Sequence, residues 1–357
     1  MKKRITFFAF AAALAFCYSC SNDETVAVND NAASNEISFR ALTNGTTRAY
    51  DIANADALIS FNVTAFQTST TASPYIDNAT FTGPGTYNSS PKYYWPSYNL
   101  DFYAWSAHSS AGDGSSQINR SAYNTFAVTP TTDAATQADF VFAYSGNVGK
   151  AATIPLTFTH KESRIVVKVW NSAANLSFSV TGWRLGYIDP TGTFTYDTGW
   201  DATSSADADK VYTSDFSSSA INVNVNTAKG SAVDLTGAQI LIPQTLTKAT
   251  AYANTGTPAS GDKVNGSYIA IQYTATNTTT STQAQATVWG IWPLEGTWEA
   301  GKQYTYVIDI ADGGYYETNN DSDANLDEVF EGAYIKFASV TVTDWTDGTG
   351  SPYDVSM

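Results

Sequence analysis

A chain of 357 residues with a formal net charge of −15 lacks the basic surplus that nucleic-acid binding or adsorption to an anionic membrane requires. Its length suits two domains. Thr, Ser, Asn, Gly, Tyr and Trp abound while Leu, Glu, Lys and Met are sparse, a balance that favours strands and turns over helices.

The first element is a signal segment. Lys2, Lys3 and Arg4 precede the apolar run "ITFFAFAAALAF", which is too short to span a bilayer and suits a signal-peptide core. The small Ser19 and then Cys20 come next. This order predicts a lipoprotein signal over 1–19, with Cys20 acylated as the mature N-terminus and Cys17 leaving with the signal. The alternative, a metal or redox Cys-x-x-Cys, has no second pair, and His108 and His160 are the only histidines in the chain. Residues 20–35 are polar and without period, which predicts a flexible tether.

From Ile37 the pattern has period two. Ile37 and Phe39 alternate with polar neighbours in "EISFRAL". Phe61, Val63 and Ala65 share one face, as do Leu100, Phe102 and Ala104. The turn-rich "TGPGTYNSSP" and "SSAGDGSS" separate such strands, so 36–150 reads as an antiparallel β-sandwich. "SGNVGKAAT", 145–153, reads as a linker. The alternation then restarts with Ile154, Leu156 and Phe158, continues through Ile165, Val167 and Val169, and ends in "FASVTVTDW". This second run predicts another sandwich over 151–357, one face wet and one buried. "DSDANLDEVF", 321–330, reads as a short helix or an acidic loop.

Five stretches in order carry a resemblance. They are "KYYWPSYNLDFYAWS" (92–106), "ADFVFAYSGNVGKAATIPLTFTHKESRIVVKVW" (138–170), "LIPQTLT" (241–247), "WEAGKQYTYVIDI" (298–310) and "VTVTDW" (340–345). Together they resemble the fimbrillin-like (Mfa-like) proteins of Bacteroidales, and "CSNDE" resembles the acidic surface-export tag of lipoproteins in that phylum. The resemblance implies an all-β fold of two tandem transthyretin-like antiparallel β-sandwich domains. It implies a type V pilus subunit or fimbrial adhesin on the cell outer membrane, held to the membrane only through the lipid on Cys20. It also implies that cleavage after an arginine frees a groove for strand exchange with other pilus subunits. The adhesion ligand, on a host or a bacterial surface, is not indicated.

Between Lys3 and Lys92 the basic residues are Arg4, Arg40 and Arg48. Arg48–Ala49 comes after the Gly-containing "TNGTT" and is the favoured processing bond. Arg40–Ala41 lies within the alternating stretch and is the second choice. A donor strand is expected in 335–357, with Val340 and Val342 as the groove-filling side chains. Against this stands ordinary pairing within the chain's own domain.

No catalytic residue, cofactor or metal is expected. His160 reads as a strand residue satisfied by a neighbour, and His108 as a loop residue; no nucleophile motif accompanies either. Asp321, Asp323, Asn325 and Asp327 alternate as in a calcium loop. Leu326 and Gly332, however, stand where such a loop has glycine and glutamate. The competing reading is a glycan-binding surface lipoprotein, with "YYWPSY" as the best run of exposed aromatics.

Overall fold

The computed structural model describes residues 35–43, 58–109, 112–201, 207–215, 218–235, 239–248, 266–312, 315–317, 339–344 and 353–355. No α-helix occurs among them. The first strands are β1 (Phe39–Thr43), β2 (Ser60–Gln67), β3 (Ile76–Thr82), β4 (Asn88–Ser89), β5 (Leu100–Ser109), β6 (Gly112–Asp113), β7 (Ile118–Ala122), β8 (Thr125–Val128), β9 (Asp139–Val148) and β10 (Ile154–His160). Then come β11 (Ser163–Trp170), β12 (Leu176–Ile188), β13 (Gly192–Thr195), β14 (Gly199–Asp201), β15 (Asp207–Asp215), β16 (Ile221–Val223), β17 (Val233–Asp234), β18 (Gln239–Leu241), β19 (Thr245–Leu246), β20 (Tyr268–Asn277), β21 (Thr282–Pro293), β22 (Gly296–Thr297), β23 (Lys302–Asp309), β24 (Tyr315–Glu317), β25 (Ser339–Asp344) and β26 (Tyr353–Val355).

The first sheet has eight strands in the order β1-β10-β9-β5-β2-β3-β4, with β6 on the end of β5. Antiparallel registers set Val63 opposite Ala104 and Ala104 opposite Ala143. Because side chains alternate across a strand, the predicted faces turn inward together. Phe61, Val63, Leu100, Phe102, Ile154, Leu156 and Phe158 form one core with Ile37 and Phe39.

Two six-stranded sheets come next, β17-β11-β23-β25-β26 and β15-β12-β20-β21-β24, with β18 on β11 and β16 on β12. Ile165, Val167 and Val169 of β11 share a second core with Trp183, Leu185, Ile269, Ile271 and Ile308. A four-stranded sheet, β14-β13-β8-β7, joins strands from both halves of the chain. Trp105, Phe140 and Phe142, on the outer face of the first sheet, share a third core with Phe126 and Phe194 of this small sheet.

Three elements differ from the sequence expectation. Residues 145–148 of the expected linker are the end of β9, with Ser145 opposite Phe102 and Val148 opposite Leu100. The strand Ile154–His160, expected to open the second sandwich, pairs instead with β1 and β9 in the first sheet. A boundary at 150/151 therefore falls inside that sheet, because Ile154, Leu156 and Phe158 complete the first core rather than found the second. His108 lies in β5, opposite Asp139, and not in a loop. The strand runs up to the expected turn because β9 still pairs with it at His108.

Candidate strand-exchange groove

The residues around Phe39 form the most enclosed part of β1. Ile37, Phe39 and Ala41 point inward and are buried, while Arg40 and Leu42 point out. The Phe39 ring is fully buried among Phe81 at 4.7 Å, Phe102 at 5.3 Å and Phe61 at 5.9 Å, each in an edge-on arrangement. Such pairs add to the gain from burial alone.

The backbone of this segment is held from both sides. On one side β1 runs parallel to β10, with Phe39 opposite Ile154 and Ala41 opposite Leu156. Ile154 N–H donates to the Ser38 carbonyl at 2.9 Å. On the other side Phe39 and Tyr87 exchange N–H to carbonyl bonds at 3.1 and 2.8 Å, and Ile37 N–H donates to the Tyr93 carbonyl at 2.8 Å. Trp95 N–H donates to the Asn35 carbonyl at 2.8 Å. Thus β1 lies at the end of the strand order yet is not a bare edge: the 87–95 segment covers it. Every partner of β1 named here comes after residue 58 in the chain.

Several expected site residues lie outside the described residues: Cys20, Arg48, Ala49, Asp321, Asp323, Asn325 and Asp327. Arg40 is exposed, but the Arg40–Ala41 bond sits inside the β1–β10 ladder, with Arg40 opposite Pro155. Val340 and Val342 lie in β25, between β23 and β26, opposite Tyr306 and Tyr304 of β23. Val342 packs against the second core, so both valines are engaged in the chain's own sheet. In "YYWPSY" Trp95 is buried in the first core and its indole N–H donates to the Ala151 carbonyl at 3.1 Å. Tyr94 and Tyr98 are exposed. Among the described residues no group of three or more His, Cys, Asp or Glu is placed to hold a metal ion.

His160 meets its expected neighbour. Its Nδ1 lies 2.8 Å from a carboxylate oxygen of the fully buried Asp139. The aspartate opens β9 and the histidine closes β10, so the pair pins the ends of adjacent strands. The burial of the next two residues is not foreseen by the sequence reading. Lys161 and Glu162 form the two-residue connection from the first sheet to β11. The Glu162 side chain turns inward and accepts the Phe140 N–H at 2.9 Å, while its own carbonyl accepts Gly301 N–H at 2.8 Å. The Lys161 ammonium lies over the Phe194 and Phe142 rings at 5.3 and 5.9 Å. A charged pair between two apolar strands reads in sequence as an exposed turn; nothing in its period reveals burial.

Burial raises the Glu162 carboxyl well above the ordinary carboxylate range, against the Phe140 hydrogen bond and with the nearby Asp139 adding to the rise. The unfolded chain then loses its proton at lower pH than the native protein does. Glu162 therefore destabilises the fold progressively as pH rises from the unfolded carboxyl's pKa toward the folded one. Glu162→Gln keeps an oxygen for the Phe140 N–H and cannot ionise. We expect the variant to gain stability over the parent as pH is raised from 4 to 7, read by urea denaturation at each pH. A parent–variant gap that stays constant across that range contradicts this account.

The fimbrillin-like family model matches residues 40–345. Similar solved structures include a candidate cell adhesion protein of Bacteroides uniformis, 15% identical, covering 88% of this chain and 100% of its own, with a TM-score of 0.45. Another, of Parabacteroides distasonis, is 11% identical, covers 89% and 99%, and has a TM-score of 0.48. A fimbrial protein of Bacteroides ovatus is 13% identical, covers 79% and 49%, and has a TM-score of 0.35. No curated protein matches. Because that match runs over far more than half of the chain, the chain belongs to the fimbrillin-like family.

Proposed function

We propose that this fimbrillin-like protein is a surface lipoprotein, anchored through Cys20, that becomes a pilus subunit or fimbrial adhesin when β1 is exchanged for a strand of another subunit. The carrying observation is the seat of β1. All the strands and rings that hold it come from beyond residue 58, so one cut between 43 and 58 turns β1 into a separate, non-covalently held peptide. Arg48–Ala49 is the basic bond in that interval. Arg40–Ala41 is the poorer substrate, because its backbone is engaged in the ladder and proteases require an extended, unpaired chain.

Loss of β1 uncovers the facing N–H and C=O groups of β10 and the 87–95 segment, together with the pocket of Phe39. Buried unpaired backbone groups cost about 1–3 kcal/mol each, and an opened sheet edge recruits another strand. The C-terminal segment 335–357 is the donor on this reading, which requires β25 to leave β23. The first sheet and the paired six-stranded sheets are the two domains, and their junction is Lys161–Glu162. The role is structural and adhesive, as the family indicates, rather than enzymatic.

Limited trypsin treatment tests this. The expected product begins at Ala49 and retains the β1 fragment until a 335–357 peptide displaces it, as monitored by native mass spectrometry. A protein cut cleanly at Ala49 that neither releases the fragment nor takes up the peptide refutes the exchange.

A further inference from the structure

The outer face of the first sheet carries a second constellation, on the opposite side from Phe39. Tyr103 of β5 lies 4.6 Å from Tyr123, 4.9 Å from Tyr144 of β9 and 6.0 Å from Tyr196, and Tyr144 lies 5.1 Å from Tyr196. These rings continue the buried aromatic layer of Trp105, Phe126, Phe140 and Phe142, but where that layer is sealed, they reach solvent. Tyr144 is 39% exposed and the other three are half-buried. The position of Tyr144 is built into its strand, since any side chain at Gly146 would collide with its hydroxyl.

Two carboxylates flank the rings. Asp101 accepts from Thr68 Oγ1 at 3.0 Å and from the Asn147 N–H. Asp197, at the exposed turn beyond β13, accepts from Asn124 Nδ2 at 3.0 Å. Neither is paired with a lysine or arginine among the described residues. Burial first, and then neighbouring tyrosines and these carboxylates, raise the Tyr103 hydroxyl. The same field, after burial, raises those of Tyr144 and Tyr196.

We propose that this tyrosine–carboxylate patch is a docking site for a cationic side chain, a guanidinium or ammonium presented by a partner protein. The faces of aromatic rings attract cations, most strongly where water is partly excluded, and the two carboxylates have negative charge to complement. A chain of net charge −15 adds long-range attraction for a basic partner. The same field repels anionic glycans and gives no advantage to neutral ones. The site is independent of β1 and of strand exchange.

The test uses the intact protein and a short peptide carrying one arginine, beside the same peptide with the isosteric, uncharged citrulline. Saturation-transfer NMR and titration should show the arginine peptide binding about fivefold tighter or more. Tyr144→Leu should weaken it by a similar factor with all charges kept. Asp197→Asn, which keeps an oxygen to accept from Asn124 Nδ2, should do so with all rings kept. Glu295→Gln, at an exposed acid paired with Lys248, should leave it unchanged. Equal binding of the two peptides overturns the proposal. So does an equal loss at Glu295, which leaves net charge as the whole effect, and so does preferential binding of the neutral oligosaccharide maltoheptaose through Tyr144.

Discussion

Phe39→Ala is expected to destabilise the uncleaved protein by about 3–5 kcal/mol. The ring is fully buried, and its three aromatic neighbours come from three different strands, β2, β3 and β5. Those strands are fixed to one another by their own ladders. The walls of the vacated space therefore cannot close in, and the cavity cost adds to the lost transfer energy. Arg40→Ala, one residue away on the exposed face, is the natural control and should change stability by no more than about 0.5 kcal/mol. Urea denaturation gives the totals, and hydrogen exchange in β10 and the 87–95 segment gives the local effect. The two variants also separate folding from function. Phe39→Ala should speed release of the β1 fragment after trypsin treatment, because the lost contacts are those that hold it. A Phe39→Ala protein within about 1 kcal/mol of the parent would mean that β1 is not seated on this core.

The strands legible in the sequence are those whose period two meets a single core. Phe61, Val63 and Ala65 against Leu100, Phe102 and Ala104 is such a case, because alternation by itself states which face is buried. Alternation is silent about neighbours. Ile154, Leu156 and Phe158 would fit either core, and only the parallel pairing with β1, distant in sequence, assigns them to the first. The same blindness hides the small sheet in which β13 pairs with β8. Arg40 is legible as a strand residue, and His160 as one satisfied by a neighbour. Its partner is not, since a separation of 21 residues between Asp139 and His160 carries no local signal of contact. The tyrosine patch escapes for a further reason. Its rings come from separate strands and turns, whereas "YYWPSY" concentrates aromatics in sequence and then buries Trp95 in the core.

His160→Ala should cost about 1–3 kcal/mol, the usual loss when a buried polar group is left without its hydrogen-bond partner. Asp139 is fully buried and its carboxylate lies 2.8 Å from the imidazole, itself only 12% exposed. Alanine cannot replace that contact. The loss has leverage because the pair joins the start of β9 to the end of β10, next to the Lys161–Glu162 connection into the second core. Asp139→Asn/His160→Ala removes the carboxylate as well as the imidazole. Its destabilisation should therefore fall short of the sum of the two single variants by more than about 0.5 kcal/mol. His108→Ala provides the contrast, since that histidine, near the end of β5, is not a member of the buried pair. It should be the milder change, and adhesive assembly should survive it. Additive effects at Asp139 and His160, or a His160→Ala cost below about 0.5 kcal/mol, would remove the pair from the forces that hold the two strands together. A folded His160→Ala protein that assembles normally is consistent with a structural histidine. A folded one that has lost a specific hydrolytic activity would instead place chemistry at this junction.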